Sequence, residues 1–410
     1  MATAFEAAGR ARAFQALRSR DFRLLWSGQT VSLIGNAAFF VAIGWRTVEL
    51  TGSARSLALV LMLYSLAMLA TLLIGGALAD RYERRTLMIV SDLSRLAVVA
   101  ALAVVDAAGH LSVPILLGFA VAVGLGDGFF HPAFGGIVPL VVEQPLLASA
   151  NALVGISRSG SFVIGPALAA LVYGTAGSAA VFAFDAASFF VSAVLVWLAR
   201  PRTVERDVSE GTIREIAAGI RYVAGVPWLW ITIALAAFVL MIAMAPYQSL
   251  LPKLVEQQFD RGVGAYGLLF SLQAVGMVAG TLAFGQTNPR RHRVIITYSF
   301  FALNDVCVIG MALTHLYGLA AALVVVRGFF IGYGIGIWET VLMELVPESK
   351  LSRVISLDYF GSLGLTPVGY ALTAAVSGLF TPSQILVTGF ALSALLWLAP
   401  LSIARVRRAA

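Results

Sequence analysis

Two ionisable side chains, Asp127 and His131, lie four residues apart inside a long apolar run. On an α-helix this spacing places both side chains on one face. An ionisable group at membrane depth is costly to bury and by default indicates a functional role, and histidine titrates near neutral pH. We therefore predict that this pair binds and releases protons, with a structural hydrogen-bonded pair as the alternative.

Two further carboxylates are candidates for proton binding. Glu339 lies 208 positions after His131, the offset of an internal repeat described below, and Asp305 lies near the middle of another apolar run. For each of them a packing role is the alternative. Asp92 and Arg95, three residues apart in the third apolar run, predict a structural salt bridge within one helix.

Polar, sulfur-containing and aromatic side chains indicate a binding cavity. In the first apolar run a polar stripe recurs every three or four residues, and such a stripe should face a cavity rather than lipid. Methionine and aromatic rings suit bulky apolar ligands, although packing or lipid contact is the alternative for the methionines. The candidates are Gln29, Ser32, Asn36, Phe40, Met241, Met244, Tyr247, Gln248, Arg327 and Tyr359.

These residues must be positioned by elements that lie in lipid. Of 410 residues, 60% are hydrophobic and 12% are charged, and a soluble protein of this composition would expose too much apolar surface. Twelve apolar runs reach the length of about 20 residues that a helix needs to cross a bilayer. Because backbone groups in lipid must bond to one another, each run is predicted to be a helix. The runs lie at about 22–48, 56–79, 86–105, 113–138, 147–173, 179–199, 228–250, 264–286, 294–313, 317–342, 353–378 and 382–404.

Charged residues set the orientation and divide the runs six and six. Lys and Arg stay on the cytoplasmic side of a membrane protein, so both termini are predicted to be cytoplasmic. Residues 1–199 form a predicted N-terminal bundle, 200–227 a cytoplasmic linker, and 228–410 a C-terminal bundle. As anchors beside anionic lipid, the basic clusters explain the net charge of +7 without a nucleic-acid partner. These clusters precede the first run and lie at 81–85, 200–221, 290–293, 350–353 and 405–408.

The two halves carry the same glycine pattern. G-x-G-x-G begins at Gly124 in the fourth run and again at Gly332 in the tenth, 208 positions later. Small residues at this spacing let helices approach closely. Weak internal symmetry of this kind is typical of two bundles that enclose a central cavity.

A short charged segment, 75–85 (GGALADRYERR), separates the second and third runs. It resembles the loop between helices 2 and 3 of the major facilitator superfamily of secondary transporters, with Glu83 where that family usually has glycine. Segments 22–29 (FRLLWSGQ), 49–53 (ELTGS) and 353–358 (RVISLD) resemble the branch that contains bacterial macrolide-type drug exporters and the enterobactin exporter. The resemblance implies an all-α membrane protein with twelve transmembrane helices in two pseudo-symmetric six-helix bundles.

The resemblance also implies a conformational latch at the cytoplasmic helix ends. Asp80 is expected to face the positive N-terminal end of helix 11, and the arginines of the segment to pair with Asp358 or Glu143. Such contacts would close the cytoplasmic face of the outward-open form and break when the halves move. A role as topology anchors alone is the alternative. The latch candidates are Gly76, Asp80, Arg81, Arg84, Arg85 and Asp358.

We therefore predict a secondary active transporter that exports small amphipathic, drug-like molecules by proton antiport and alternating access. The alternative is an exporter of a specific metabolite, siderophore or lipid, in which Arg327 and Arg46 contact an anionic group. An enzyme is not expected, because the sequence contains no GxSxG motif, HExxH motif or phosphate-binding loop. We expect no cofactor and no metal. Protons and membrane lipid are the other expected partners, and the expected form is a monomer in the bacterial inner membrane.

Overall fold

The computed structural model describes residues 14–202, 212–287 and 289–402, except for the side chains of 73, 76, 77, 79–81, 212–218, 348, 349, 352, 353 and 402. Within these ranges the chain is helical, with short turns between helices and no strand. This is what a chain in lipid requires, since a helix satisfies its own backbone groups.

The first half of the chain contains six helices. The helical stretch Leu147–Leu198 is interrupted at Gly177, where φ is 81° and ψ is 177°. Glycine adopts a positive φ without a steric penalty, so the chain turns there between two spans. The six helices are α1 (Arg20–Thr51), α2 (Ala54–Arg81), α3 (Arg84–Ala107), α4 (Val113–Val141), α5 (147–176) and α6 (178–198).

The second half begins with a short helix, α7 (Thr212–Gly225), in the predicted linker. Helix α8 contains a π-helical turn at Leu240–Met244. Helices α12 and α13 form one interrupted span, because Pro367 at the start of α13 has no backbone N–H to continue α12. The remaining helices are α8 (Pro227–Phe259), α9 (Val263–Thr287), α10 (Arg293–Leu313), α11 (Tyr317–Leu345), α12 (Glu348–Leu363), α13 (Thr366–Val376) and α14 (Pro382–Leu398).

The predicted number of spans is confirmed in the part of the chain that the structure describes. Ten helices are long and apolar enough to cross a membrane when Leu147–Leu198 is counted as one. The break at Gly177 makes that stretch two spans, and the interrupted pair α12–α13 supplies the twelfth.

Contacts between residues divide the described chain into two compact units. Unit 1 contains the described residues up to Arg46 and from Leu63 to 202. Unit 2 contains Thr47 to Met62 and the described residues from 212 onwards.

In unit 1 the glycines of α4 permit close approach of two neighbouring helices. A Cβ atom at Gly124 would lie 2.4 Å from the backbone oxygen of Tyr64, and one at Gly128 would lie 2.6 Å from that of Met68, both on α2. A Cβ atom at Gly126 would instead lie 2.8 Å from Cγ of Arg95 on α3. The alternating glycines therefore face α2 and α3 in turn.

In unit 2 helices α9 and α11 interlock through their glycines. A Cβ atom at Gly276 or Gly280 on α9 would lie 2.1 Å from a backbone oxygen of α11. A Cβ atom at Gly328 or Gly332 on α11 would likewise lie 2.1 Å from a backbone oxygen of α9. Contact of this kind is backbone against backbone, so neither helix can accept a side chain at these positions without moving.

We predict that Gly280→Ala destabilises the protein, because its methyl group would meet the Phe329 backbone. Overpacking of a tight contact costs about 1–3 kcal/mol, and the unfolding temperature in detergent should fall. Gly285→Ala on the same helix is the control, since a Cβ there meets nothing within 4 Å and alanine favours helix. Equal unfolding temperatures for the two variants would contradict the interlocked packing.

Candidate functional site

The guanidinium of Arg95 on α3 is the centre of a buried polar network in unit 1. Its Nη1 donates to Oδ1 of Asp127 on α4 at 2.8 Å, and its Nη2 donates to Oδ1 of Asp92, one turn earlier on α3. The side chains of Arg95 and Asp92 are 2% and 0% exposed. The predicted Asp92–Arg95 salt bridge is confirmed, and Asp127 is a second partner that the sequence did not indicate.

Asp127 is held through both carboxylate oxygens. The hydroxyl of Tyr64 on α2 donates to Oδ2 at 2.7 Å, while Oδ1 accepts from Arg95. The Asp127 side chain is 13% exposed, unlike the fully buried Asp92. His131, one turn further along α4, is exposed, and Asp127 makes its hydrogen bonds to Tyr64 and Arg95 instead. Of the two carboxylates bonded to Arg95, Asp127 is therefore the accessible one.

The network continues from Asp92 into α6 and α1. Ser192 donates to Oδ2 of Asp92 at 2.7 Å and accepts from Nε2 of Gln29 at 2.8 Å. Two phenylalanine rings pack against the Arg95 guanidinium, whose carbon lies 4.2 Å from the ring centroid of Phe130 and 4.4 Å from that of Phe189. Cation–π contact is favourable where water is excluded. Five helices, α1, α2, α3, α4 and α6, thus contribute to one site.

Charge is not balanced within this network. Asp92 and Asp127 carry two carboxylates against the single guanidinium of Arg95. A buried charge without a partner costs several kcal/mol in a low-dielectric interior. With both carboxylates ionised, the three side chains therefore carry one net negative charge, and Asp127 is the more exposed of the two carboxylates.

A second polar site lies in unit 2 around Arg327 on α11. Its Nη1 donates to Oε1 of Gln273 on α9, and its guanidinium carbon lies 4.0 Å from the ring centroid of Tyr247 on α8. Arg327 is 6% exposed, and its Nε is buried without a hydrogen-bond partner among the described residues. A guanidinium held by an amide and a ring keeps its full positive charge available to an anion.

The other two proton candidates differ in their surroundings. Asp305 on α10 is 1% exposed; it accepts from Ser393 on α14 and, at 2.7 Å, from the neighbouring Asn304. The bond from Ser393 connects α10 to α14. Glu339 on α11 has an exposed side chain.

The structure separates the cavity candidates by burial. Gln29 and Ser32 are buried in unit 1, where Gln29 bonds Ser192, whereas Asn36 and Phe40 are partly exposed. In unit 2, Tyr247 is buried beside Arg327, and Gln248 accepts a hydrogen bond from Tyr370. The partly exposed residues are Asn36, Phe40, Met241, Met244 and Gln248, and Tyr359 is 56% exposed.

The π-helical turn Leu240–Met244 contains both methionine candidates. Such turns occur frequently at functional sites, because the extra residue rotates the following side chains. Apolar periodicity did not indicate it, since one inserted residue leaves a membrane helix equally apolar.

The arginines of the predicted latch bond to backbone oxygens within unit 1. Arg84 donates to the oxygen of Gly136 on α4, and Arg85 donates to those of Val196 and Trp197 on α6. In unit 2, Asp358 accepts from Nε1 of Trp338 at 3.0 Å. The other latch candidates, Gly76, Asp80 and Arg81, are positions whose side-chain surroundings the structure does not describe.

One further ion pair of unit 1 was not predicted. Nε of Arg46 near the end of α1 lies 2.8 Å from Oδ1 of Asp106 on α3, and Ser178 on α6 donates to Oδ2 of the same carboxylate. Asp106 therefore neutralises Arg46, and Arg327 is the better anion candidate of the two. The sequence could have indicated only the contribution of α6, because Ser178, Asp185 and Ser192 recur every seven residues and so share one face of that helix.

Comparison with known proteins agrees with this architecture. The family model described as Major Facilitator Superfamily matches residues 25–368. Macrolide efflux protein A of Streptococcus pyogenes is 26% identical over 361 residues, which cover 86% of this chain and 88% of that protein. Enterobactin exporter EntS of Salmonella paratyphi A is 25% identical over 387 residues, covering 90% and 89%. The predicted family and branch are confirmed.

Solved structures show the same fold. A bacterial homologue of the human lysosomal transporter Spinster superposes with a TM-score of 0.72 at 14% identity, covering 96% of this chain and 97% of the other. A bacterial homologue of the iron transporter ferroportin gives 0.72 at 15% identity, covering 93% and 98%. The predicted fold of twelve helices is confirmed.

We predict that Arg95→Met strongly destabilises the protein, because it leaves Asp92 and Asp127 buried without a cation. Breaking a buried ion pair costs about 3–5 kcal/mol, which should lower the unfolding temperature and the yield of monodisperse protein. Adding Asp127→Asn should recover part of the loss, since one uncompensated charge disappears. Arg55→Met, at an exposed position, is the control. A double variant less stable than Arg95→Met alone would contradict the charge argument.

Proposed function

Because this chain belongs to the Major Facilitator Superfamily, we propose that it exports small amphipathic, drug-like molecules in exchange for protons by alternating access. Export as the direction is supported by its relatives, a macrolide efflux protein and an enterobactin exporter. The half-buried methionines of the π-helical turn in α8 supply adaptable apolar contacts for such cargo.

The network of Arg95, Asp92 and Asp127 carries the proton part of the proposal. With Asp127 ionised, Arg95 bridges two carboxylates on α3 and α4. A proton on Asp127 removes the charge that holds this bridge and leaves Arg95 paired with Asp92 alone. Proton binding thereby changes how tightly α3 and α4 are joined, and Tyr64 keeps Asp127 in place in both forms.

The cellular setting is part of the same proposal. We place the transporter in the bacterial inner membrane as a monomer, with both termini in the cytoplasm and with residues 1–199 and 228–410 as the moving bundles. The latch at the ends of α2, α3 and α12 would stabilise one end state. Each charge that crosses a membrane potential of 100 mV supplies about 2.3 kcal/mol for uphill export.

We predict that Asp127→Asn abolishes proton-driven accumulation while downhill flux of the same compound persists. Asparagine keeps the size of the side chain and an acceptor for Tyr64 but binds no proton. Purified protein in liposomes with a lumenal pH dye measures both quantities for a fluorescent amphipathic dye. Uphill transport should fall at least about tenfold, which corresponds to the loss of about 1.4 kcal/mol of coupling free energy between proton and substrate.

Asp260→Asn is the matched control, because Asp260 is exposed at the end of α8 and its φ of 50° suits asparagine. It should transport as the unchanged protein does. Persistent proton counterflow in Asp127→Asn, or no counterflow in the unchanged protein, would contradict proton antiport through Asp127.

A specific anionic metabolite or siderophore is the second candidate cargo, and Arg327 is the observation that favours it. Its guanidinium is buried against the neutral groups Gln273 and Tyr247, with Nε without a partner among the described residues. A carboxylate or catecholate would supply the missing acceptor and charge. A neutral drug could supply an acceptor for Nε but not the opposite charge.

We predict that Arg327→Gln reduces transport of anionic compounds at least about tenfold, the effect of losing one charge-assisted hydrogen bond, if this second candidate is correct. Transport of neutral compounds by the same variant should stay within about twofold. A pair of isosteric substrates, an acid and its methyl ester, separates the two effects in liposomes. Arg261→Gln, at an exposed position, is the control, and equal losses for acid and ester would rule out an anion contact at Arg327.

A further inference from the structure

Helix α6 presents one face of regularly spaced buried side chains to α1 and α3. Ser178, Phe182, Asp185, Phe189 and Ser192 follow one another at intervals of four, three, four and three, and each is no more than 7% exposed. Ser178 and Ser192 bond to Asp106 and Asp92 of α3. Asp185 lies between them and is the only ionisable residue of α6.

The carboxyl group of Asp185 is buried and forms no ion pair with a described residue. It is 1% exposed, its Oδ2 has no hydrogen-bond partner among the described residues, and its Oδ1 lies 3.3 Å from Oγ of Ser188. The Ser188 hydroxyl has its better acceptor in the backbone oxygen of Asp185, at 2.7 Å. An ionised carboxylate in this setting lacks the donors that buried charges require.

A protonated Asp185 fits the same geometry. Its O–H would donate to Ser188 Oγ, while the Ser188 hydroxyl donates to the backbone. Helix α1 closes this site with Gly35, where a Cβ atom would lie 2.6 Å from Oδ1 of Asp185 and 2.3 Å from Oγ of Ser188. Glycine is therefore needed there for the α1 backbone to cover the acid.

The charged groups around Asp185 belong to the site already described. Arg95 of α3 attracts a negative charge on Asp185, and Asp127 of α4 repels it. Helix α3 also contributes Asp92, which Arg95 and Ser192 satisfy. Helix α1 has no charged residue between Arg23 and Arg46. With Asp185 included, three carboxylates share one guanidinium, so electroneutrality requires two protons.

We propose that Asp185 is a second proton-binding site, which exchanges its proton with the surroundings in the transport cycle and is coupled to Asp127 through Arg95. At each site a carboxylate takes up one proton to become a carboxylic acid, and the acid later releases that proton. Because the two carboxylates repel each other, protonation of one makes ionisation of the other more favourable. The transport consequence rests on the proposed antiport, whereas proton binding by Asp185 does not.

Infrared spectroscopy of the full-length protein in lipid tests binding without transport. The unchanged protein should show a carboxylic-acid band that titrates with pH and that Asp185→Asn removes. The pH at which this band is lost should shift in Asp127→Asn. Asp260→Asn, at an exposed position at the end of α8, should retain the band. Absence of an Asp185 band at every pH, or a band that Asp127→Asn leaves unmoved, would overturn the proposal.

Liposome stoichiometry tests the role in the cycle. Proton-to-substrate ratios from null-point potentials should be lower by one proton in Asp185→Asn than in the unchanged protein, while the exposed control Asp260→Asn should leave the ratio unchanged. An equal ratio in Asp185→Asn would make Asp185 a fixed structural acid and overturn its exchange. If Asp185→Asn does not fold, Asp185→Glu should move the infrared band and keep the ratio. If no variant shows proton counterflow, only the antiport proposal fails. Proton binding by Asp185 is still tested by the infrared titration.

Discussion

A single guanidinium, that of Arg95, determines how unit 1 can be arranged. It is fully enclosed, so every carboxylate nearby is positioned by its need for that one positive charge. Asp92 and Asp127 bond to it directly, Phe130 and Phe189 pack against it, and α4 carries a glycine where a side chain would displace it. The helices of unit 1 that carry these groups are therefore joined through one positive charge.

Unit 2 also contains a buried arginine, and it is held in a different way. Arg327 is enclosed by an amide and a tyrosine ring, and the nearby Asp305 is satisfied by Ser393 and Asn304 instead. Unit 1 thus places two carboxylates against one guanidinium, whereas the guanidinium of unit 2 has neutral groups as its direct contacts. The sequence repeat therefore preserved the helix packing but not the chemistry.

Much of the fold was predictable because lipid imposes simple rules. Span length, basic loops and glycine spacing depend on local sequence, and they indicated the twelve helices and the close contacts of α4 and α11. The pair Asp92–Arg95 was predictable for the same reason, being three residues apart on one helix. Tyr64 and Gln273 were missed because their partners lie on other helices, and Asp185 was missed because Gly35 and Arg95, which surround it, lie on α1 and α3.

The polar stripe of α1 illustrates the same limit. Its spacing predicted a face that lines a cavity, whereas Gln29 and Ser32 are buried in packing, with Gln29 bonded to α6. The interlocked helices α9 and α11 carry a different consequence for unit 2. Two helices that interlock backbone to backbone cannot slide past each other. We therefore expect bending in unit 2 to occur at its irregular helices, at the π-helical turn of α8 and at the break between α12 and α13.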